Sequence, residues 1–397
     1  MSSDTAFPSS RDSDREGERR IIVTEKNCIL FLPYPLEKSG NRARQLRPRK
    51  MLEAFRETGF RVFVIHGYSA QRKRKIRKLK QLMERGIHFD FMYAECSTEP
   101  MRLTDPHHLP DHPFLDFGLF RYLKEKGVPI GLFYCDIYWK FPVYREALSM
   151  LKYCFALREY RRDLKQYEKY LSRFYVPDMK MCEYLDREKI TAMAEALPPG
   201  ADRIEVPERT DRGRDFHAKP LQIFYVGGIL NHYRIDTLLS AAQELEDVCV
   251  TICCREEEWE SRKESLAPLL TDRVEIIHKN EDELAPYYER ADIGSLLFEN
   301  GEYWGLAQPV KAYEYLAHEL PVLVTEDTAV GRFVESVDYG WSIPCEKEAV
   351  IRLLSDIMKN PELLEQKRAA ARERKSSHLW SARAEQVASG LMGGRNE

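Results

Sequence analysis

Lys311 and Glu314 stand three residues apart in QPVKAYEYLAHELPVLV, so on a helix they share one face near its N-terminus. The turn ahead of them, Gly305-Leu306-Ala307-Gln308-Pro309, supplies backbone amides that can point at an anion. A helix N-terminus offers N–H groups without intrahelical partners and the positive end of a dipole, which suits a diphosphate. A carboxylate one turn further on can accept protons from two neighbouring hydroxyls, as a ribose presents them. The plain alternative is a surface helix with an i,i+3 salt bridge. Asp136 ends the run VPIGLFYCD (128–136), at the carboxyl end of a strand, where parallel α/β folds bind ligands. Its plain alternative is to cap the next helix. Gly40, in LEKSGNRARQLRP, has no side chain, so its backbone can approach a phosphate or sugar closely, or simply turn.

Other patterns carry less chemistry. DPHHLPDH (105–112) gathers three His and two Asp, but two prolines and the lack of helical spacing spoil a ligand geometry, so no metal is expected. The GGI at 227–229 is not GxGxxG, and neither a P-loop nor a nucleophile elbow occurs, so no dinucleotide cofactor is expected. Nine scattered cysteines with no CxxC pair fit free thiols in a reducing compartment.

Two successive strand–helix series must position these residues. The first takes CILFLPYP (28–35), a helix at 49–59, RVFVIHG (61–67), a basic helix (71–85), FDFMYAE (89–95), a helix ending at 127, the strand 128–136, one long helical stretch (142–173), FYVP (174–177) and a short helix (178–186). EALPPGADRI (195–204) breaks the pattern, and the charged, turn-rich 205–218 belongs to a linker. The second series runs through LQIFYVGGI (221–229), VCVTICC (248–254), VEIIHKN (274–280), IGSLLFEN (293–300) and PVLVTED (321–327), with helices between them and at 348–357, 361–374 and 378–392. The expected fold is α/β, two doubly wound Rossmann-like domains with a cleft between them. The boundaries are a disordered tail at 1–20, an N-terminal domain at 21–200, a linker at 201–219, a C-terminal domain at 220–377, and a last helix at 378–397.

Charge divides along the same line. Residues 1–200 carry 37 Lys and Arg against 27 Asp and Glu, while 201–397 carry 24 against 37. Opposite signs suggest different partners for the two halves. A pI near 6.4 argues against a dedicated nucleic-acid binder. The run QRKRKIRKLKQ puts seven basic residues between Arg72 and Lys80, either a solvated helix face or a peripheral contact with an anionic membrane or lipid diphosphate. The aromatic, basic stretch 150–175 reads as an interfacial or a packed helix. The first twenty residues lack the apolar stretch of a secretory signal, and no window is apolar enough to span a membrane.

In the second series FYVGGILNHYRIDTLL, ELAPYYERADIGSLLF, QPVKAYEYLAHELPVLVTED and YGWSIP follow one another. In this order they resemble a GT-B-type retaining glycosyltransferase of the large family 4 group. LPYPLEKSGNRARQLRP, ALPPGAD (196–202) and HLWSARAEQV resemble that family's glycine loop, pre-linker motif and closing helix, so the resemblance covers residues 28 to 392. It is similar to a divergent branch with Lys-x-x-Glu-Tyr in place of two glutamates. Leu306 stands at the first glutamate position, Glu299 and Glu302 lie upstream, and Gly228 and Tyr233 occupy the usual Arg and Lys positions. Cys135 replaces the His of a His-Asp pair and Asp136 remains.

The resemblance implies metal-independent hexosyl transfer, with retention of configuration, from a nucleotide-sugar to a glycan or lipid-linked acceptor. It needs no cofactor, and it implies cell-surface polysaccharide or glycoconjugate synthesis; the free thiols point to the cytoplasm, and the run Arg72–Lys80 to a peripheral place on the inner face of the membrane as an alternative to a solvated face. Asp136 and Lys311 would be catalytic. Gly228, Arg234, Gly305, Leu306, Ala307, Lys311 and Glu314 would hold the donor, and Gly40, Asn41 and Arg42 the sugar or acceptor. The alternatives are a nucleotide-sugar epimerase of the same fold, which needs carboxylates and a His at the cleft, and a non-catalytic binding protein on this fold.

Overall fold

A computed structural model of the chain describes residues 26–37, 43–208, 215–230, 232–280 and 283–393. Each half builds one six-stranded, all-parallel sheet. The first contains β1 (Asn27–Phe31), β2 (Arg61–Ile65), β3 (Phe91–Glu95), β4 (Ile130–Phe133), β5 (Arg173–Val176) and β6 (Ala194–Ala196). Their order is β2-β1-β3-β4-β5-β6, so the winding reverses between β1 and β3. The second contains β7 (Leu221–Val226), β8 (Val248–Cys253), β9 (Val274–Ile277), β10 (Ile293–Leu296), β11 (Val322–Thr325) and β12 (Gly340–Ile343). Their order is β12-β11-β10-β7-β8-β9, which reverses between β7 and β10. The central strands are unbroken apolar runs because helices cover both of their faces: every residue of β1, β3 and β4 is buried. The two doubly wound domains meet with the carboxyl ends of their strands at a shared cleft, where such sheets bind ligands.

Helix Trp380–Met392 leaves the C-terminal half and packs on the first sheet. Its Trp380, Ala384, Val387 and Leu391 join Phe55, Phe91, Tyr93 and Tyr175 in one apolar cluster. Gly131 of β4 permits this approach, since a Cβ there would sit 2.7 Å from the Tyr175 ring and 3.0 Å from Leu391. The linker is held against the same helix: Trp380 N–H donates to Ala201 O, and Ala201 N–H to His378 O.

Several elements differ from the sequence expectation. The helix expected from 49 starts at Ala43 and runs through Pro48. The stretch 142–173 is two helices, Pro142–Glu146 and Met150–Tyr170, because Ser149 is extended and starts the second one afresh. The residues expected as a helix at 178–186 form a tighter 3-10 turn, Met179–Tyr184, whose Lys180 amide donates to the Asp178 side chain. The helix Ala329–Val337 and strand β12 went unrecognised within TEDTAVGRFVESVDYGWSIP.

Candidate functional site

Helix Val310–Ala317 is pinned to the second sheet by Tyr315. The Tyr315 hydroxyl donates to Phe224 O and accepts from Val226 N–H, both at 3.2 Å. Its ring lies where a side chain on Gly294 of β10 would be, 2.8 Å from that Cβ position. This fixes the direction of Lys311 and Glu314. Lys311 Nζ donates to Glu314 Oε2 at 2.5 Å, and the Tyr288 hydroxyl donates to the same oxygen at 3.0 Å. The expected pair is therefore real, and in this state it is also the i,i+3 salt bridge of the plain reading. His318 stacks on Tyr288, ring centroids 3.9 Å apart, and is pushed down to about 4 by burial and by Lys311 and Lys375. It is neutral at pH 7. Glu314, Tyr288 and His318 line a cavity of about 620 Å³ that Leu46 and Lys50 close from the N-terminal domain.

The turn before this helix departs from expectation. The amides of Gly305, Leu306 and Ala307 donate to the carbonyls of Gly301, Tyr303 and Trp304. They are consumed by the turn and do not face an anion; in the first turn of the helix itself the Ala312 amide donates to Pro309 O, and those of Val310 and Lys311 have no intrahelical acceptor. Leu306, at the position where the resemblance expects a glutamate, is 5% exposed and packs into the apolar cluster of the N-terminal domain. Beside it the Tyr303 hydroxyl crosses the cleft and donates to Asp136 Oδ2 at 2.9 Å. Asp136 Oδ1 accepts from Tyr138 N–H at 2.8 Å, so the carboxylate also caps the following turn. Burial raises its pKa, against these hydrogen bonds. Trp304 stacks on His232, centroids 3.8 Å apart, and so ties the turn to the loop after β7.

Between these loops lies a cavity of about 290 Å³, lined by Asp136, Cys135, Leu306 and Trp304 together with two residues that sequence reasoning missed, Arg47 and Glu95. Glu95 ends β3 and is 3% exposed. Its Oε1 accepts from the Tyr93 hydroxyl at 3.1 Å and lies 3.6 Å from Arg47 Nε. Burial pushes Glu95 up to about 7, with Arg47 and the Tyr93 bond pulling the other way. The Arg47 guanidinium lies 3.5 Å from the Phe133 ring centroid, and its Nη2 donates to Leu197 O at 3.0 Å. Its buried Nε and Nη1 have no hydrogen-bond partner. A buried group left this way costs roughly 1–3 kcal/mol. The signal for Glu95 was available: like Asp136, it closes an apolar strand at its carboxyl end.

The remaining expected residues scatter. Gly228 lies near Tyr233 and Glu258, and the Ile229 amide next to it donates to Glu258 Oε2 at 2.9 Å. Arg234 is committed to Asp236 by two bonds, at 3.1 and 3.0 Å, and reaches neither cavity. Arg255, just past β8 and paired with Glu258, and Arg262, whose Nη1 donates to Ile229 O at 3.2 Å, are basic groups beside the Gly228 loop. Gly40, Asn41 and Arg42 lie outside the described residues. Arg72 is not on the basic surface: it is 1% exposed and forked onto Asp116 at 2.9 and 2.8 Å, leaving Lys73, Arg74, Arg77 and Lys78 as the exposed cations of that helix. In the 105–112 loop Asp105, His107 and Asp111 bring ligand atoms within 4.8 Å of one another, but Asp105 Oδ1 already accepts the Ser69 amide at 2.7 Å.

Comparison with known proteins puts this geometry in context. The family described as "Glycosyl transferases group 1" matches residues 208–374. No curated protein matches the chain. Among solved structures it is similar to Anabaena HepE in complex with UDP and glucose, at 13% identity and a TM-score of 0.59, covering 91% of this chain and 98% of that one. A glycosyltransferase from Rickettsia africae gives 12% identity and a TM-score of 0.61, over 92% and 99% of the two chains. A putative UDP-N-acetylglucosamine 2-epimerase from Listeria monocytogenes gives 12% and 0.52, over 94% and 97%. Identities this low speak for the fold, and that fold is GT-B. Residues 208–374 thus match the glycosyl transferases group 1 family, within the C-terminal half of a two-domain GT-B architecture.

Proposed function

We propose that the protein transfers a hexose from a nucleotide-sugar to a glycan or lipid-linked acceptor, with retention of configuration and without a metal. The observation that carries this reading is the group 1 match over 208–374, a segment whose strand ends face a cleft. Glu314, half-buried beside Tyr288, holds the ribose. Lys311 and the first-turn amides of its helix stabilise the diphosphate as charge develops on the leaving oxygen. Asp136 and the cleft cavity hold the sugar, and a closed cleft keeps out water, whose attack would waste the donor. HepE, of similar fold, is known with UDP and glucose bound, which supports a nucleotide-sugar as donor.

The basic N-terminal half supports an anionic acceptor side. We place the protein in the cytoplasm, peripheral on the membrane, in the synthesis of a polysaccharide or glycoconjugate. Among the described residues no helix is long and apolar enough to cross a bilayer. The epimerase reading gains two carboxyls in one cavity, Glu95 and Asp136, but no His among the cavity's lining residues. A thermal-shift panel of UDP, GDP, ADP and their hexose conjugates tests the proposal. Stabilisation by one nucleotide and its conjugate, followed by release of that nucleotide when extracts supply an acceptor, is the expected result. A chain indifferent to every nucleotide overturns it, and conversion of the donor to a sugar epimer favours the second reading.

A further inference from the structure

Two of the free cysteines touch. Cys96 follows β3 and Cys135 follows β4, neighbouring parallel strands paired as far as Glu95 and Phe133. Their sulfurs lie 3.5 Å apart, and Cys96 Sγ also accepts the Cys135 N–H at 3.3 Å. Both residues line the cavity of about 290 Å³. Cys96 is 5% exposed and Cys135 half-buried, so a reagent that reaches them is small and comes through that cavity. The glycosyl-transfer reading gives neither thiol a task.

The two sulfurs are not equivalent. Its hydrogen bond with Cys96, and then burial, hold the Cys135 thiol protonated well above the usual range. That S–H finds two acceptors on Cys96, the sulfur at 3.5 Å and the carbonyl oxygen at 3.9 Å. Cys135 is therefore the donor of the pair. Cys96 Sγ receives hydrogen bonds from both the S–H and the N–H of Cys135, which favours it as the attacking sulfur.

We infer that Cys96 and Cys135 form a hydroperoxide-sensitive dithiol in which Cys96 attacks, Cys135 resolves, and the resulting disulfide loosens the hold of Asp136 on Tyr303. In the first step the O–O bond of the peroxide breaks. The Cys96 sulfur takes one oxygen as a sulfenic acid, and the other leaves with the Cys96 proton as water or an alcohol. The Cys135 sulfur then displaces the sulfenic hydroxyl, which leaves with the Cys135 proton as water. The two sulfurs lose two electrons and the peroxide gains them. A dithiol reductant reverses the change by exchange.

Sulfurs in contact but unbonded must close to about 2 Å, and the segment that moves carries Asp136 directly after Cys135. Asp136 Oδ2 holds the Tyr303 hydroxyl across the cleft at 2.9 Å, and Oδ1 holds the Tyr138 amide at 2.8 Å. A shift of about 1 Å takes either contact out of hydrogen-bond range.

The test treats the full chain with hydrogen peroxide, alkylates the remaining thiols and digests with trypsin without reduction. Residues 86–102 and 127–140 are tryptic peptides with one cysteine each, Cys96 and Cys135. The expected product is these two peptides joined, two hydrogens lighter than their sum, and parted again by dithiothreitol. Cys135→Ser should lose the link and leave at Cys96 a sulfenic acid that dimedone traps. Cys96→Ser should leave Cys135 unmodified at the same dose. Cys135→Ala carries the same reading if Cys135→Ser loses cooperative unfolding. Hydrogen exchange at Tyr138 and in the turn 305–307 should quicken in oxidised wild type, recover on reduction, and stay unchanged in peroxide-treated Cys135→Ser. Free thiols recovered at both positions, at a dose that oxidises the exposed Cys154, overturn the proposal. A link formed with no change in exchange overturns its coupling to the cleft. Neither result bears on the glycosyl-transfer reading, which is judged by nucleotide binding.

Discussion

A carboxylate that recognises a ribose must be held still, and Glu314 is held by Tyr288 on one side and Lys311 on the other. Replacing it by Ala should weaken nucleotide binding at least about tenfold, since a hydrogen bond to a charged group is worth roughly 1.5–3 kcal/mol. Calorimetry with the nucleotide chosen by the thermal-shift panel checks this, and unchanged affinity removes Glu314 from the site. Glu95 gives a second expectation at this scale. Burial holds Glu95 and Asp163 protonated up to about 7 in the folded chain, against ordinary values of 4.5 and 3.8. The folded state thus binds these protons more tightly than the unfolded one, so their contribution is present at low pH and is lost as pH rises from about 4 through about 7. His66, His318 and His378, each pushed down to about 4 by burial, act in the opposite sense. Subtracting wild type from Glu95→Gln cancels the histidines. Denaturant unfolding at pH 5 and pH 8 should show the variant gaining on wild type as pH rises; parallel curves contradict the raised pKa.

Among the elements, the turn 301–307 is the one whose role the sequence concealed. Its Gly-Leu-Ala composition reads as an anion-binding loop, yet whether an amide is spent inside a turn depends on dihedral angles that composition does not fix. The strands were easier, because runs such as CILF and FYV are apolar without alternation and must be buried on both faces. Lys311, Glu314 and Asp136 were legible as local spacing and strand-end position. Arg47, Tyr303 and the Trp304–His232 stack were not, since each is made by contact between segments far apart in the chain. Leu306→Ala tests the turn directly: losing a buried leucine costs about 2–5 kcal/mol, part of it at the contact between domains. Hydrogen exchange at 301–308 should quicken while β7 and β8 stay protected, and unaltered exchange argues that the turn does not rely on that anchor.

The basic helix Ser69–Glu84 makes a further expectation at the same scale. Its exposed Lys73, Arg74, Arg77 and Lys78, changed to Gln, should weaken binding to phosphatidylglycerol vesicles at about 0.1 M salt, since each basic residue near an anionic surface adds about 1 kcal/mol. Donor affinity should be unmoved. Indifference of wild type to such vesicles returns the helix to a solvated face.

On the scale of the whole molecule, the two domains are tied across the cleft by Tyr303 to Asp136 and by Arg332 to Asp178 at 3.1 Å. If the cleft opens to admit the proposed donor, these ties part. Tyr303→Phe with Arg332→Ala should therefore enlarge the radius of gyration measured by small-angle scattering, with both sheets intact by circular dichroism. An unchanged radius would show that the apolar contacts, Leu306 and the ring at 303 against Phe141 among them, keep the cleft closed.

Helix Trp380–Met392 has a consequence for how the chain is made. Beside Phe55 of the helix Ala43–Glu57, it finishes the face of the first sheet that carries Phe91 and Tyr93, but the whole second sheet is translated before it. A nascent N-terminal domain therefore waits on the ribosome with that aromatic face uncovered, through the synthesis of everything from β7 to residue 379. The usual order, first domain finished first, is suspended for this protein. A chain stopped before residue 380 should bind a dye such as ANS and sediment with holding chaperones. The same chain given the peptide 380–392 in trans should release them.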